Sequence, residues 1–469
     1  MTTPSPSSPA NGRATSLAII GCGPGGYATA EYAAKAGLQV TIFEKDELGG
    51  TCLNRGCIPT KVYCHIASVL LEGRALAAHD IVAAPGIPAF PAAFARKEAV
   101  VTQLRDGIAT LMAQPGITLV HGQAQLKDAH TVTCDGKDYP ADNIIIATGS
   151  HPTAPPITGL DNPHVVDSTG LLALQQLPKR LVIIGAGVIG MEMASAFNAF
   201  GTEVTVVEFL KECLPMADSD LAKRLRKQLE SRGVKFYMQA AAKAISDNAS
   251  ADDGAVSVTF EQKGKTLTVS GDIVLCATGR GPNTEGLGLD EVGIVYDRHG
   301  IRTDDDNMRT SVDSIYAIGD VNGRMQLAHA AEAQGRVVVD SIVGRESKRR
   351  LDLIPWAVFT TPELAGIALA PAKAAGREAT AKDADESAPA TETRKSFYRS
   401  NGKAVAMDAT FGLVKTTYRT ADGTITGCQA LGAHAADIVQ EVAALMNRNA
   451  TIDDLDAVIH IHPTLQEIL

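Results

Sequence analysis

The sequence predicts an α/β fold in which one strand, turn, helix and strand arrangement occurs twice, followed by a C-terminal α+β region. Two observations carry this prediction. A glycine-rich turn follows an apolar strand after Ile20 and again after Ile184, and a second apolar strand follows each turn at the same interval. After Leu351 the composition changes, and strand-like runs are followed by two helical runs. The length of 469 residues is that of about three domains.

The first copy has a predicted strand over residues 17–20, a turn over 21–26, a helix over 27–36 and a strand over 40–43. This order is typical of a Rossmann-like dinucleotide-binding domain. Gly21 would allow the tight turn, Gly23 would let the backbone approach a pyrophosphate, and Gly26 would let the helix pack closely on the strand. Glu44, at the end of the second strand, can accept hydrogen bonds from ribose hydroxyls.

The second copy has a strand over residues 181–184, a turn over 185–190, a helix over 191–200 and a strand over 204–207. Its matching residues are Gly185, Gly187, Gly190 and Glu208. The interval from the first glycine to the glutamate is 23 positions in both copies. Each copy later reaches an Ala-Thr-Gly turn, formed by Ala147, Thr148 and Gly149 in the first copy and by Ala277, Thr278 and Gly279 in the second. The equal intervals, and the same Ala-Thr-Gly turn at the end of each copy, indicate an internal repeat and therefore two dinucleotide sites.

The residues after Glu208 indicate which nucleotide the second copy binds. Phe209, Leu210 and Lys211 follow it, with no arginine to receive a 2'-phosphate. The Glu208 carboxylate would also repel such a phosphate. The second site should therefore prefer NAD to NADP. The alternative is that Glu208 is only a solvated strand end.

A pair of cysteines distinguishes the first copy. Cys52 and Cys57 lie in the run 49–61, within a stretch of 103 positions between Glu44 and Ala147, whereas the matching stretch of the second copy has 69. Cys57 leads into a predicted helix with Pro59 near its first turn and an apolar face, formed by Val62, Ile66, Val69 and Leu70. A helix N-terminus favours a thiolate, which is the form that attacks disulfides.

The position of this pair assigns a cofactor to each copy. A flavin exchanges electrons with thiols and also transfers hydride, so we expect FAD in the first site and NAD in the second. The alternative is a pair of buried structural cysteines.

The composition limits the class of protein. With 45% hydrophobic residues and a net charge of -10, the chain can bury several cores, and we expect neither a nucleic-acid partner nor a membrane partner. Eight cysteines are too few for a disulfide framework, which favours a cytoplasmic setting. Residues 1–15, rich in Ser, Pro and Thr, are expected to form a disordered tail.

These motifs, taken in order from about residue 17 to residue 467, resemble the pyridine nucleotide-disulfide oxidoreductase family. The resemblance implies an FAD-binding domain over residues 16–150 and 280–350, an NAD-binding domain over 151–279 and a dimerisation domain over 351–469 of a homodimer. The match is strongest to members that reoxidise dihydrolipoamide and reduce NAD. Their partner is a lipoyl-bearing protein of a 2-oxo-acid dehydrogenase complex or of the glycine cleavage system.

The resemblance also implies roles for single residues. Cys52 would be the thiol that meets the substrate and Cys57 the thiol beside the flavin, while Lys61 and Glu192 would pair near the flavin ring. The further FAD contacts would be Gly122, Asp320, Gln326, Leu327, Ala328 and His329. Other disulfide reductases of the family, and a non-catalytic redox sensor that binds dinucleotides, are the alternatives.

The late run 460–467 would supply a base. Thiol oxidation requires a proton acceptor, and a neutral imidazole can serve near neutral pH. By resemblance this base is His462, held by Glu467 and acting on Cys52 of the other subunit, whereas His460 should face elsewhere. Because the sequence stops two residues after Glu467, we expect that carboxylate to be less rigidly held.

The C-terminal region has predicted strands over 404–407, 412–417 and 423–431, and predicted helices over 434–447 and 451–458. Residues 371–395 are expected to form a mobile surface insertion. Cys64, two turns after Cys57, is expected to be a core residue without a redox role.

Overall fold

The computed structural model describes residues 15–84, 86, 88–248, 254–304, 307–367 and 390–469. The predicted tail lies outside these residues except for Thr15, and most of the predicted insertion lies outside them as well. The chain divides into two compact units. The first unit contains the described residues within Met1–Pro59, Glu98–Pro152 and Arg280–Leu351. The second contains those within Thr60–Lys97, Thr153–Gly279 and Asp352–Leu469.

The helices and strands are numbered in chain order. The helices are α1 (Pro24–Lys35), α2 (Gly50–Arg55), α3 (Cys57–Ala78), α4 (Phe90–Met112), α5 (Ser168–Leu172), α6 (Val188–Phe200), α7 (Ser219–Ser231), α8 (Leu289–Val292), α9 (Ala328–Ile342), α10 (Gly402–Ala406), α11 (Ala435–Met446) and α12 (Ile452–Asp456). The strands are β1 (Ser16–Ile20), β2 (Gln39–Glu44), β3 (Ile117–His121), β4 (Ala124–Asp128), β5 (Thr131–Cys134), β6 (Lys137–Pro140), β7 (Asn143–Ile146), β8 (Ser150–Pro152), β9 (Val165–Val166), β10 (Arg180–Ile184), β11 (Glu203–Glu208), β12 (Lys235–Met238), β13 (Ala240–Asp247), β14 (Val256–Gln262), β15 (Lys265–Gly271), β16 (Ile273–Cys276), β17 (Arg280–Pro282), β18 (Tyr296–Asp297), β19 (Gly300–Ile301), β20 (Ile315–Ala317), β21 (Trp356–Val358), β22 (Glu363–Ile367), β23 (Thr391–Phe397), β24 (Leu413–Arg419) and β25 (Ile425–Gly432).

A parallel sheet with the order β20, β7, β1, β2 and β3 forms the centre of the first unit. Its register places Leu17 opposite Val40 on one side and opposite Asn143 on the other. Residues 17–20 of β1 and 144–146 of β7 are apolar and buried, as expected for a parallel sheet covered on both sides. Ala30 and Ala33 of α1 belong to the same core as Val338 and Val339 of α9.

The second unit repeats this plan. Its parallel sheet has the order β12, β11, β10, β16 and β9, so that β10, β11 and β16 take the places of β1, β2 and β7. Each copy also carries a three-stranded antiparallel sheet ahead of its exit turn, formed by β4 to β6 in the first copy and by β13 to β15 in the second. The predicted internal repeat is confirmed, and it extends to these smaller sheets.

The C-terminal region is an antiparallel sheet with the order β21, β22, β25, β24 and β23, and α11 packs on it. Ile438, Val439 and Val442 of α11 are buried in one core with residues of β22, β24 and β25. The predicted α+β make-up is confirmed. The last residues of the predicted insertion, 391–395, lie in β23. Four of these five residues are exposed, as a surface segment requires, but they form a paired strand and not a mobile insertion.

Residues 404–407 were predicted as a strand, and this prediction is wrong. Residues 402–406 form α10, because the Asn401 side chain caps the helix by accepting a hydrogen bond from the Ala404 N–H at 2.9 Å. The apolar residues of this run favour a strand, but the side-chain cap at Asn401 starts a helix. The predicted helix over 451–458 is present as the shorter α12.

The predicted apolar face of α3 is wrong at Val69, while Val62, Ile66 and Leu70 are half-buried. The buried residues of this helix are Pro59, Thr60, Tyr63, Cys64 and Ala67, whereas Val69 is 52% exposed. The Tyr63 ring determines this orientation, since it packs edge-on against Phe197 and Phe200 with centroid distances of 6.4 and 5.7 Å. The predicted start of the helix at Cys57 is confirmed.

Candidate active site and nucleotide-binding turns

The first glycine turn has the close approaches that its sequence predicts. Gly21 has a φ of 106°, and a Cβ at this position would lie 2.4 Å from the Ala147 carbonyl oxygen of the exit turn. A Cβ on Gly26 would lie 1.9 Å from the Gly21 oxygen. A Cβ on Gly23 would meet nothing closer than the Gly50 Cα at 3.9 Å. The open side of the turn therefore lies at Gly23, at the N-terminus of α1, where a pyrophosphate would fit.

The second glycine turn has the same geometry. A Cβ on Gly185 would lie 2.5 Å from the Ala277 oxygen, and one on Gly190 would lie 2.0 Å from the Gly185 oxygen. A Cβ on Gly187 would have no neighbour within 4 Å. This turn precedes α6, so the second copy also fits a dinucleotide phosphate at a helix N-terminus.

The two strand-end glutamates each brace their own turn. The Glu44 carboxylate accepts hydrogen bonds from the Cys22 N–H at 2.8 Å and the Asp46 N–H at 2.9 Å. The Glu208 carboxylate accepts from the Ala186 N–H and from the Leu210 N–H. Glu208 is only 7% exposed, so it is not a solvated strand end. Each carboxylate is held beside its glycine turn, as an acceptor for ribose hydroxyls requires.

The exit turn of the first copy lies beside a buried carboxylate. Asp320, in the 3-10 helix Gly319–Asn322, accepts a hydrogen bond from the Ser150 hydroxyl. Burial raises the pKa of Asp320, and the hydrogen bond from Ser150 opposes that rise. Arg280 donates to the Ser150 hydroxyl at 2.8 Å and to its carbonyl at 2.7 Å. Asp320 is predicted from the sequence, whereas Ser150 and Arg280 are not, although each directly follows an Ala-Thr-Gly turn.

The remaining predicted FAD contacts also lie in the first unit. The Gly122 N–H donates to the Glu44 carbonyl at 2.9 Å, and Thr148 Oγ1 donates to the Asn283 carbonyl at 2.7 Å. Gln326 Nε2 donates to the Arg280 carbonyl at 3.3 Å. The segment then enters α9, of which Leu327 is the N-cap and Ala328 and His329 are the first residues. In the second copy, the Gly279 carbonyl accepts from the Thr153 N–H at 3.0 Å.

The two cysteines lie at adjoining helix ends. Cys52 is within α2, Cys57 is the first residue of α3, and both are half-buried. A Cβ on Gly56 would lie 3.4 Å from the Cys52 Cα, so the residue before Cys57 packs against Cys52. Tyr27 lies near both. Burial, followed by the electrostatic effects of Glu332 and the cysteines, raises the pKa of Tyr27 to about 12, so the phenol stays neutral beside the thiols.

Lys61 and Glu192 form an ion pair in the second unit. Lys61 Nζ lies 2.9 and 3.0 Å from the two Glu192 carboxylate oxygens, and Glu192 is 3% exposed. The Phe359 N–H donates to the same carboxylate at 2.8 Å, and the Phe359 ring lies 4.8 Å from Lys61 Nζ. Phe359 therefore holds both partners, Glu192 through its backbone N–H and Lys61 through its ring. The sequence did not reveal these contacts.

The C-terminal run contains two histidine–carboxylate pairs, both in the second unit. His462 Nδ1 lies 2.9 Å from Glu467 Oε1, and the other Glu467 oxygen accepts from the Thr464 N–H at 2.8 Å. Glu467 is thus held at both oxygens, contrary to the expectation that it is loosely held. The His462 side chain is 80% exposed, so its Nε2 edge can reach a substrate. His460 pairs instead with Glu441, at 2.8 Å.

Cys64 lies in the core of the second unit at 8% exposure, and burial raises the pKa of its thiol. This burial agrees with the predicted core role.

Among the described residues, no cluster of His, Cys, Asp and Glu has the make-up of a metal site. Within the same part of the chain, no helix is both long and apolar enough to cross a membrane.

Comparisons with known proteins agree with this geometry. Residues 15–335 match the pyridine nucleotide-disulphide oxidoreductase domain, and residues 354–469 match the dimerisation domain of the same family. The dihydrolipoyl dehydrogenase of Geobacillus stearothermophilus is 37% identical over 97% of this chain and 94% of its own length. That of Staphylococcus aureus is 35% identical over 97% and 95%.

A solved structure is similar as well. The HOCl-induced flavoprotein disulfide reductase RclA from Escherichia coli aligns with a TM-score of 0.81 at 31% identity, over 96% of this chain and 98% of that one. The two domain matches together span most of the sequence, and both glycine turns fit the FAD and NAD that the family uses. The chain belongs to the pyridine nucleotide-disulphide oxidoreductase family.

Proposed function

We propose that this protein oxidises dihydrolipoamide, carried on a lipoyl-bearing protein, to lipoamide and reduces NAD to NADH. The observation that carries the proposal is that one chain contains both a cysteine pair and a histidine base. Cys52 and Cys57 adjoin at a helix start, and an exposed His462 is held at 2.9 Å by Glu467. The curated relatives named dihydrolipoyl dehydrogenase, which match nearly the whole chain, support the choice of substrate.

The chemistry of the thiols follows from these residues. With Cys52 and Cys57 joined as a disulfide, His462 Nε2 takes a proton from one substrate thiol, and that sulfur attacks the Cys52 sulfur. The Cys52–Cys57 bond breaks, a substrate–Cys52 disulfide forms, and Cys57 leaves as a thiolate. The second substrate thiol then attacks the first substrate sulfur and gives up its proton to the leaving Cys52 sulfur. This closes the lipoamide ring and releases Cys52 as a thiol. Two electrons have passed from the substrate to the cysteine pair.

Glu467 prepares His462 for this step. Its carboxylate accepts the hydrogen bond of Nδ1–H, so that Nε2 carries the lone pair that receives the proton. The Thr464 N–H fixes the second carboxylate oxygen, which restricts the direction of the imidazole. By resemblance to the family, His462 serves Cys52 of the other subunit.

The first glycine turn, Glu44 and Asp320 would hold FAD, and the second turn and Glu208 would hold NAD. Bound there, FAD would supply the two-electron chemistry that links the cysteine dithiol to hydride transfer to NAD. Lys61 is fixed by Glu192 and Phe359, and the resemblance to the family implies that its positive charge serves the flavin ring. Glu208 would exclude a 2'-phosphate and so favour NAD.

The proposal includes a homodimer, a cytoplasmic setting and a lipoyl-bearing partner from a 2-oxo-acid dehydrogenase complex or the glycine cleavage system. The match of residues 354–469 to the dimerisation domain of the family supports the homodimer.

The test is turnover of the FAD-loaded protein with dihydrolipoamide and NAD, followed by NADH absorbance. We expect turnover with NAD to exceed turnover with NADP by at least tenfold, and the Cys57→Ser and His462→Ala variants to lose most of it. Absence of NADH formation by the FAD-loaded wild type would refute the proposal.

A second candidate is reduction of another disulfide by NADH, because the E. coli flavoprotein disulfide reductase RclA is similar over almost the full chain. The reverse assay separates the two candidates, with lipoamide and oxidised glutathione as competing acceptors. Preference for lipoamide supports the first candidate. A non-catalytic redox sensor predicts no turnover with either acceptor.

A further inference from the structure

His460 forms a second histidine–carboxylate pair directly beside the first. Its Nε2 lies 2.8 Å from Glu441 Oε1, and its side chain is only 15% exposed, compared with 80% for His462. Its neighbours Ile459 and Ile461 are 96% and 80% exposed. His460 is therefore an inward-facing side chain between two exposed isoleucines.

The segment 458–464 lies between α12 and the 3-10 helix Leu465–Ile468 and has no regular secondary structure. Side chains anchor it. Asn401 Nδ2 donates to the Thr464 carbonyl at 3.0 Å, and Glu467 accepts from the Thr464 N–H at 2.8 Å. These anchors lie on the C-terminal side of His462. The His460–Glu441 bond anchors its N-terminal side.

Glu441 provides a rigid attachment point. It lies on α11, and Ile438, Val439 and Val442 of this helix are fully buried in the C-terminal core. The Glu441 side chain is 27% exposed, so its bond with His460 is shielded in part from water. A bond from a packed helix to an irregular segment fixes the position of that segment.

We propose that His460 and Glu441 are positioning residues for His462. The pair would hold the segment so that the His462 imidazole meets the substrate thiol at the right distance and angle. Such alignment contributes to the rate because a displacement of about 1 Å at a reacting group can cost about 100-fold. This inference rests on the proposed function, since it assigns the pair to the half of the reaction that needs His462.

The charge arrangement agrees with this role. The Thr464 N–H and His462 lower the pKa of Glu467, with a smaller effect from His460, so His460 lies close enough to act on the first pair. Glu441, Glu467, His460 and His462 thus form two neighbouring pairs, in which each imidazole faces its own carboxylate.

The experiment compares two activities of the FAD-loaded protein. Oxidation of dihydrolipoamide by NAD requires His462, whereas oxidation of NADH by ferricyanide bypasses the thiol chemistry. For His460→Ala and Glu441→Ala we expect kcat with dihydrolipoamide to fall by about tenfold to 100-fold, with KM changed less than threefold. The ferricyanide activity should stay within twofold of the wild type.

Two further variants complete the test. Glu441→Gln keeps an oxygen that accepts from His460 Nε2–H and should retain kcat within about threefold. His79→Ala is the matched control, because it removes a histidine paired at 3.1 Å with Asp408 outside this segment, and both activities should be unchanged.

The outcomes separate this role from the proposed function. An unchanged dihydrolipoamide kcat in His460→Ala, or an equal fall of both activities, would overturn the positioning role alone. A wild-type protein inactive with dihydrolipoamide would overturn the proposed function and this role together.

Discussion

At the scale of single residues, Glu467 connects the candidate base to its own loop. One carboxylate oxygen binds His462 and the other binds the Thr464 N–H. We expect Glu467→Gln to lower kcat for dihydrolipoamide by about 100-fold, the lower end of what positioned proton transfer contributes. Steady-state kinetics will check this, with the NADH–ferricyanide activity as the control. An unchanged kcat would exclude Glu467 from the site.

The pH dependence of this bond has a definite sign. The Thr464 N–H, and after it His462, hold the pKa of Glu467 below its ordinary value of 4.5. The carboxylate therefore stays charged in the folded protein at a pH where the unfolded chain would begin to protonate it. The stability that this carboxylate contributes is fully present above the ordinary pKa of the unfolded chain. It is lost as the pH falls through the lowered pKa of the folded protein. A carboxyl titration by NMR in wild type and His462→Ala should show a higher Glu467 pKa in the variant.

Cys64 gives a prediction about thiol reactivity. Burial raises the pKa of its thiol, and only the thiolate is a good nucleophile. We therefore expect iodoacetamide to modify Cys52 or Cys57 in the NADH-reduced protein and to leave Cys64 unmodified until the chain unfolds. Mass spectrometry of the digested protein measures this. Rapid labelling of Cys64 in the folded state would show that it is not a core residue.

The sequence indicated the site residues whose partners lie close in the chain or that belong to a specific motif. Cys57 at a helix start and Glu467 five positions after His462 could both be predicted, because the relevant neighbours are close in the chain. The Phe359 N–H on Glu192 and the Arg280 guanidinium on Ser150 could not. Each of these contacts joins residues more than a hundred positions apart, and such contacts depend on how the sheets and helices pack.

At the scale of elements, each glycine turn has one glycine needed for packing and another that faces the expected phosphate. A Cβ on Gly190 would lie 2.0 Å from the Gly185 oxygen, whereas one on Gly187 would meet nothing within 4 Å. We expect Gly190→Ala to cost about 1–3 kcal/mol of stability through overpacking. Gly187→Ala should melt like the wild type yet bind NADH at least tenfold more weakly, because its methyl group enters the phosphate space.

Thermal melting and NADH titration of both variants distinguish these effects. Equal melting temperatures for the two variants would contradict the packing role of Gly190. Unchanged NADH affinity in Gly187→Ala would show that the pyrophosphate does not approach the backbone there.

The elements of the two copies could be predicted because each parallel strand is a continuous apolar run between turns, and the same pattern occurs twice. The C-terminal elements were harder to predict. Helix α10 has only five residues, and the Asn401 side-chain cap, not an apolar pattern, determines where it begins. On α3, the aromatic residues Phe197 and Phe200 decide which face is buried, although they lie far away in the sequence.

At the scale of the whole molecule, the C-terminal region combines a dimerisation domain with the candidate base. Residues 354–469 match that domain of the family, and the segment that carries His462 presents an exposed Ile459 and Ile461. Large apolar side chains that are almost fully exposed in one chain are typical of a protein interface. The sequence predicted the homodimer only through the family resemblance, since an interface is not a local pattern.

The proposed homodimer makes catalysis depend on assembly. Ile459 is 96% exposed in the single chain, so Ile459→Asp should leave the fold of each subunit intact while placing a charge in the interface. We expect monomers by light scattering and loss of dihydrolipoamide oxidation, because each His462 would be separated from the Cys52 it serves. The ferricyanide activity should persist.

Val295→Asp, at a 57% exposed apolar position in the first unit, is the control and should remain dimeric and active. A monomeric Ile459→Asp variant with full dihydrolipoamide turnover would show that His462 acts within its own subunit.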